Sequence, residues 1–329
     1  MYTDQDLDAA VAAGVLNRQT AAAFRSFLIE RHPASGPDEE AFRLLTGFND
    51  IFVAIASALL LAAVWSIGGS VAQGFAGLSC AAVSWGLAEF FVRRRRMALP
   101  GILLLVAFVG GVFQSGLHFV PGEQAVAAAG VLAALAAAGH WLRFHVPVTV
   151  AAGLLALIVG ILISATLAFP TLANWISVLT FAAGLATFAL ALKWDASDVQ
   201  RRTGRSDVAF WLHLLAAPLL VHPLFTALQA YDHALGALQV GLVAGIYALI
   251  AVISLMIDRR ALMVSALGYV LYAFTALFSQ TDLVDLGFAS TALLVGTALL
   301  LLSAFWQRAR AVSLGWLPEQ IRRQLPPLR

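Results

Sequence analysis

The chain has 329 residues, of which 61% are hydrophobic and only 12% are charged, with a formal net charge of +2. A soluble globular protein carries about 25% charged residues, and a chain this apolar could not cover its own surface with polar groups. The composition therefore excludes a soluble protein and predicts an integral membrane protein whose solvent is lipid.

Residues 1–35 are polar and predict a small cytoplasmic helical hairpin. A short first helix stops at Gly14, and Asn17 fits the N-cap of a second helix that runs to about Arg31. The second helix is amphipathic, with apolar positions at helical spacing at Ala21, Phe24 and Leu28. Residues 36–50, which begin in a proline-containing stretch, are predicted to be a linker.

From residue 51 to residue 306 the chain is a series of apolar runs with short connections. A spanning helix needs about 20 apolar residues. The runs predict an all-α, polytopic membrane bundle of about ten transmembrane helices. Their predicted bounds are 51–69, 72–92, 98–119, 125–142, 146–168, 172–192, 208–228, 236–257, 261–279 and 285–306.

The positive charges predict the orientation of this bundle. If the N-terminus is inside, all 20 Lys and Arg residues fall on the inside, and the outside connections carry only acidic charges. The positive-inside rule is usually a bias rather than a complete partition. The pattern predicts a bacterial inner-membrane protein with both termini cytoplasmic.

Two further features are a basic C-terminal tail and an internal repeat. Residues 307–329 form a basic tail with interleaved apolar side chains, which predicts an interfacial segment on anionic lipid rather than a nucleic-acid binder. A faint parallel repeat relates residues 49–142 to residues 206–306, because corresponding helices begin after Asp50 and Asp207.

The N-terminal hairpin also carries a family resemblance. The segment from Leu7 to Leu16, followed by the helix from Ala21 to Leu28, resembles the short domain that opens a family of bacterial multi-pass membrane proteins of unknown function. The resemblance covers about thirty residues and the general layout of a hairpin followed by many spans. It implies an inner-membrane location and this architecture, and no catalytic residues.

Ionisable residues inside the bilayer are the first candidates for a functional site. Glu89 is the carboxylate that falls well inside a predicted span, and its spacing from Arg93 predicts a local ion pair. No aspartate or glutamate is predicted at mid-membrane, which argues against a carboxylate-driven ion pump. Cys80, the single cysteine, lies in an apolar segment and is interpreted as a packing thiol.

The seventh predicted span carries two histidines and two prolines. Pro218 and Pro223 each remove a helical hydrogen bond, which predicts a kinked helix whose free carbonyls face protein or a wet cavity. His213 and His222 are nine residues apart and fall on opposite faces. His222 shares a stripe with Pro218 and Gln229, so the candidate site is placed there, and His213 is expected to act through stability.

Gln114 and His118 are one helical turn apart in the outer half of the third predicted span. By rise per residue Gln114 lies at about the depth of His222. A polar cluster of Gln114, His118, His222 and Gln229 that opens outward is therefore one hypothesis. The alternatives are that each histidine hydrogen-bonds a neighbouring helix, or that histidines of different helices ligate haem. The GxxxG motif at Gly241–Gly245 predicts close helix packing.

No catalytic, metal or nucleotide motif stands out, so no cofactor is predicted and an enzymatic role is not favoured. The leading hypothesis is transport or translocation of a small or amphipathic molecule. The second is a sensor or scaffold whose hairpin binds a protein partner, and the third is a haem-bearing or other membrane enzyme. The expected partners are membrane lipids and a small-molecule or lipid-like substrate, but not nucleic acid.

Overall fold

The computed structural model describes residues 7, 10–31, 48–199, 201, 203–227, 237–278, 287–322 and 325–326. Over these ranges the chain is almost wholly helical and contains no strand. It divides into two compact units, Met1–Phe42 and Arg43–Arg329.

The described part of the first unit has helical segments at the predicted positions. Residues 7 and 10–12 are helical, and Gly14 has a φ of +72° where that helix stops. The side chain of Asn17 accepts a hydrogen bond of 2.6 Å from the amide of Thr20, which confirms the N-cap of α1 (Arg18–Arg31). The proline-containing part of the linker lies outside the described residues.

The second unit is a bundle in which each long helix packs mainly on its neighbours along the chain. Its helices are α2 (Phe48–Val71), α3 (Gln73–Ala88, continued by a π-helical segment, Glu89–Arg94), α4 (Ala98–Phe119), α5 (Ala125–Phe144), α6 (Val148–Ala168), α7 (Ile176–Ala196, after the 3₁₀ segment Pro170–Trp175), α8 (Gly204–Ala227), α9 (Ala237–Ile257), α10 (Ala261–Phe278), α11 (Gly287–Ala304), α12 (Trp306–Gly315) and α13 (Glu319–Arg322).

These helices make the chain a multi-pass membrane protein. Among the described residues 8 helices, α2 to α9, are long and apolar enough to cross a membrane, and the count rises to 9 if α11 and α12 form one bent span. The predicted polytopic helical bundle is therefore confirmed, and about ten spans are compatible with this count over the described residues. The remaining predicted spans fall on α10, whose apolar part is the shorter helix Leu262–Phe274, and on α11, which bends by 76° into α12.

The core of the bundle forms around α8 and around glycine contacts. Half of the most apolar stretch of α8 is buried, against 17% of that of α2, and α8 packs on α6, α7 and α10. A Cβ at Gly130 would lie 2.8 Å from the Cα of Gly160, so α5 and α6 meet backbone to backbone. By contrast, a Cβ at Gly241 or Gly245 would meet nothing within 4 Å, so the predicted packing role of the GxxxG motif was wrong within the described chain.

The turns that follow α3, α5, α7 and α9 share an unusual backbone conformation. The helical segments that end at Arg94, Phe144, Ala196 and Ile257 are each followed closely by a non-glycine residue with positive φ: Arg96 (54°), His145 (54°), Arg201 (52°) and Asp258 (57°). This conformation is unfavourable for L-residues by roughly 1–2 kcal/mol. We call the side where these turns lie the arginine-bearing end.

Candidate functional site: a buried charged network

The candidate site begins with Asp195, which the sequence placed after the sixth span. Helix α7 continues to Ala196, so Asp195 lies in its last turn, and only 11% of its side chain is exposed. Asp195 lies at the end of a span rather than at mid-membrane, so the absence of a mid-membrane carboxylate stays a prediction. A buried carboxylate needs compensating charge and hydrogen bonds.

Arg259 and His213 provide that compensation from two other helices. The guanidinium of Arg259 forms an ion pair with Asp195, with Nη2 at Oδ1 and Nε 3.3 Å from Oδ2. It also donates from Nη2 to the carbonyl oxygen of Ser206 at 3.0 Å. The Nε2 atom of His213 lies 2.8 Å from Oδ2 of Asp195. The three charged or polar groups join α7, the start and first half of α8, and the end of α9.

The bonding pattern of His213 indicates its tautomer. The ring is fully buried and stacks edge-on against Phe188, with centroids 5.4 Å apart. Because the carboxylate of Asp195 can only accept, Nε2 carries the hydrogen. Nδ1 has no hydrogen-bond partner among the described residues, which is tolerable for a lone pair but costly for a second N–H. The neutral Nε2–H form therefore fits this site best.

A second cluster surrounds Asp258, the residue before Arg259. Its Oδ2 lies 3.2 Å from Nη1 of Arg201, and its Oδ1 accepts a 2.8 Å hydrogen bond from Nε1 of Trp306. Nε of Arg310 lies 3.9 Å from the same Oδ1. Arg310 is 1% exposed and also donates to the carbonyl oxygen of Pro326, so the predicted tail is partly packed into the protein rather than wholly interfacial.

The turn between α9 and α10 explains how one short segment serves both clusters. The amide of Arg259 donates to the carbonyl of Ser254 at 2.9 Å, the bond of a Schellman motif with Asp258 as its left-handed residue. The hydroxyl of Ser254 donates back to the carbonyl of Arg259. This closed turn directs the side chains of Asp258 and Arg259 to different partners. We refer to Asp195, His213, Arg259, Asp258, Arg201 and Arg310 together as the charged network.

Glu89 forms a related but more exposed group at the end of α3. The predicted pair with Arg93 is confirmed, with Nη1 3.2 Å from Oε2. The sequence did not reveal the stronger partner, because Arg143 lies on α5 and binds both carboxylate oxygens, at 2.6 Å and 3.0 Å. The Glu89 side chain is 32% exposed, so water shares in this interaction.

On α8 the structure buries His213 and exposes His222. The helix runs unbroken through Pro218 and Pro223, and Pro218 and His222 are exposed, so they do not face the packed interior, whereas the wet cavity stays a prediction. The buried histidine is His213, which sits among α7 and α9 because the packed face of α8 carries small and apolar residues at helical spacing, including Leu212 and Ala216. Gln229 lies outside the described residues.

Gln114 and His118 are neighbours, as predicted, but their third partner is Gln73. Nδ1 of His118 lies 2.9 Å from the Gln114 carbonyl oxygen, and its Nε2 lies 2.8 Å from Oε1 of Gln73 at the start of α3. His222 belongs to neither contact. The group joins α3 to α4 and does not form the predicted cluster across α4 and α8.

Two other polar side chains, Cys80 and His140, are buried outside the charged network. Cys80 is buried and its thiol lies 3.3 Å from the carbonyl oxygen of Leu61, which confirms a packing role. His140, which the sequence analysis passed over, is fully buried against Trp85, Phe108 and Phe144. Its Nδ1 lies 3.3 Å from the hydroxyl of Thr149, and its Nε2 has no partner within the described chain.

The described network is built from ion pairs and hydrogen bonds. In the described ranges no group of three or more His, Cys, Asp or Glu residues is placed to ligate one. Comparison with protein-family models, with curated proteins and with solved structures finds no match. The network can make and break ion pairs between helix ends, and His213 donates to Asp195 in its neutral Nε2–H form.

Proposed function

We propose that the protein translocates a small or amphipathic molecule across a bacterial inner membrane, and that the charged network is its gate at the arginine-bearing end. The observation that carries the proposal is the burial of Asp195 with Arg259 and His213. Replacing buried ion pairs by apolar side chains is often neutral or stabilising. A bundle that needed only an anchor would not require these charges, and intramembrane ionisable residues commonly mark substrate or ion pathways.

The network fits a gate because its partners belong to different helices. Asp195 lies in the last turn of α7 and Arg201 follows that helix, His213 belongs to α8, and Asp258 and Arg259 follow α9. Ion pairs between packed helices have discrete made and broken states, which suits a two-state closure. Separating α7 from α9 would break both clusters together and open the space that they close.

The proposed orientation puts the arginine-bearing end and both termini in the cytoplasm, from the complete partition of Lys and Arg. Reporter fusions after residues 122, 233 and 283 should then behave as periplasmic, and fusions after residues 95, 203 and 329 as cytoplasmic. A single clean reversal would overturn the orientation without bearing on the gate.

Thiol labelling tests translocation without knowledge of the substrate. In a Cys80→Ser background, Ala216→Cys places one thiol beside the network, in the middle of α8, where Ala216 is fully buried. Membrane-impermeant thiol reagents are applied to vesicles of either orientation. We expect Ala216→Cys to react from both sides. The matched control is Ala133→Cys, a similarly buried position in the middle of α5. Labelling of Ala216→Cys no faster than Ala133→Cys would contradict an alternating pathway.

A scaffold is the second candidate, because the hairpin belongs to a compact unit of its own. Exposed apolar side chains on that unit, Val15 and Phe24, offer a surface for a protein partner. Deletion of residues 1–35 separates the two functions. If the cellular phenotype and two-sided labelling at position 216 both survive, translocation is favoured. If the phenotype is lost while the labelling is unchanged, the scaffold is favoured. The family resemblance of the hairpin remains part of this second proposal.

A further inference from the structure

A small cavity lies in the elbow where α11 bends by 76° into α12. Its volume is about 140 Å³, close to the roughly 150 Å³ of an engineered apolar cavity that holds benzene. Side chains of α9, α10, α11 and α12 line it, among them Tyr247, Arg260, Val264, Leu267, Leu299 and Trp306. It can hold a short piece of one acyl chain.

Arg260, the charged residue of the described lining, is held against the ring of Trp306. Arg260 is exposed, and its guanidinium lies 4.7 Å from the ring centroid of Trp306. Trp306 is itself fixed, being 4% exposed and hydrogen-bonded through Nε1 to Asp258. Of the lining residues in the described chain, Arg260 is the one that carries a charge, so the cavity favours an anion.

The rest of the lining is apolar apart from Ser303 and the hydroxyl of Tyr247. Val264 is 63% exposed, so this side of the elbow opens on the surface that faces lipid. Tyr247 packs in the same cluster as Met263 and Trp306, and its buried hydroxyl has no hydrogen-bond partner among the described residues. A bound molecule with an oxygen acceptor next to its chain would satisfy this hydroxyl.

We propose that the elbow binds one anionic phospholipid. Its phosphate contacts Arg260, an ester carbonyl accepts from Tyr247, and one acyl chain lies along Leu267 and Leu299. Basic pockets between membrane helices at the headgroup level are suited to such lipids. A free anion would leave the apolar lining exposed, and a zwitterionic headgroup would bring its own cation close to Arg260. The proposal does not depend on translocation.

The test measures the thermal stability of the full chain in detergent with added phosphatidylglycerol, phosphatidylcholine or inorganic phosphate. We expect phosphatidylglycerol alone to raise the Tm, because a ligand that binds only the folded state stabilises it. Arg260→Gln should weaken that binding by about tenfold or more, as loss of a charge-assisted hydrogen bond predicts. The control Arg308→Gln removes an exposed arginine of α12 that stacks on Phe305 outside the cavity, and it should keep the effect.

Tyr247→Phe distinguishes a ligand contact from a structural role. Its hydroxyl has no partner among the described residues, so the lipid-free Tm should stay the same or rise, while the response to phosphatidylglycerol falls. Equal responses to phosphatidylcholine or to phosphate would overturn the proposal, as would equal losses in Arg260→Gln and Arg308→Gln. These results leave the labelling at position 216 untouched, so failure of one proposal is distinguishable from failure of the other.

Discussion

Arg201 and Asp258 stand at the ends of α7 and α9 in the same left-handed backbone conformation, and their side chains bind each other. Nη1 of Arg201 lies 3.2 Å from Oδ2 of Asp258, and Nη2 donates to the Asp258 carbonyl oxygen at 2.7 Å. Each left-handed residue costs roughly 1–2 kcal/mol relative to ordinary backbone. The two unfavourable turns are thus offset by the interaction that they make geometrically possible.

Asp258→Asn should destabilise the protein by about 3 kcal/mol, because it leaves the buried Arg201 and Arg310 with less compensating charge. Asparagine tolerates a positive φ, so the change tests the charge and not the turn. Thermal unfolding in detergent measures it. The control is Arg96→Asn, at an exposed left-handed position, which should be neutral or stabilising by up to about 1 kcal/mol. Equal effects at the two positions would mean that the ion pairs contribute little.

Glu89 and Asp195 allow a comparison of exposed and buried pairs in one protein. Each acid near the end of one helix binds an arginine two helices later, Arg143 and Arg259 respectively. We expect Glu89→Gln to have little effect on stability, since water shares its interaction, and Asp195→Asn to cost about 3 kcal/mol or more. High salt should weaken the first pair more than the second. The reverse order in unfolding measurements would contradict this account.

This correspondence also bears on the repeat suggested by the sequence. The pairs Glu89–Arg143 and Asp195–Arg259 relate helices four apart, α3 with α7 and α5 with α9. The comparison of residues 49–142 with residues 206–306 relates helices six apart. Side-chain pairing across helices was not visible in the apolar pattern, because the paired residues are separated by more than fifty positions. The six-helix repeat stays a prediction.

Local features were predictable from the sequence because their causes are local. Gly14, the Asn17 cap, the Glu89–Arg93 pair and the buried Cys80 each depend on residues within a turn or on one apolar segment. The multi-pass class followed from composition alone. These predictions needed no knowledge of which helices are neighbours.

The site was missed because it depends on which face of each helix is buried. His213 and His222 are equivalent in type and setting along α8, and only packing against α7 decides that His213 is inside. The apolar boundary at residue 192 also hid Asp195, since a helix continues into polar residues when a neighbouring helix supplies Arg259. A hydropathy profile detects apolar stretches that are long enough to span a membrane. It does not detect a charged residue that is compensated by a residue of another helix.

Gly130 should resist substitution where Gly110 does not. A Cβ at Gly130 would lie 2.8 Å from the Cα of Gly160 and 2.9 Å from the Ala156 carbonyl oxygen, so α5 and α6 would have to separate. Gly130→Ala should therefore cost about 1–3 kcal/mol. Gly110→Ala meets nothing within 4 Å and should gain up to about 1 kcal/mol from reduced backbone entropy. Equal unfolding temperatures for the two variants would refute the close contact.

Replacement by phenylalanine should change the stability of the protein little at the buried His140 and more at the buried His213. His140 lies among Trp85, Phe108 and Phe144, and its Nε2 has no partner in the described chain, so a ring without nitrogens fits its surroundings. His140→Phe should change stability by less than about 1 kcal/mol, the worth of its single 3.3 Å contact with Thr149.

His213→Phe removes the donor that Asp195 receives from α8 and leaves that buried carboxylate with fewer hydrogen bonds. The loss should be about 1–3 kcal/mol. His213→Gln, which can still donate, should recover part of it if the hydrogen bond is the cause. Unfolding of the three variants in one detergent, at one pH, measures the difference. If His140→Phe is the more damaging change, or if His213→Gln is no better than His213→Phe, then the hydrogen bond from His213 to Asp195 does not stabilise the network.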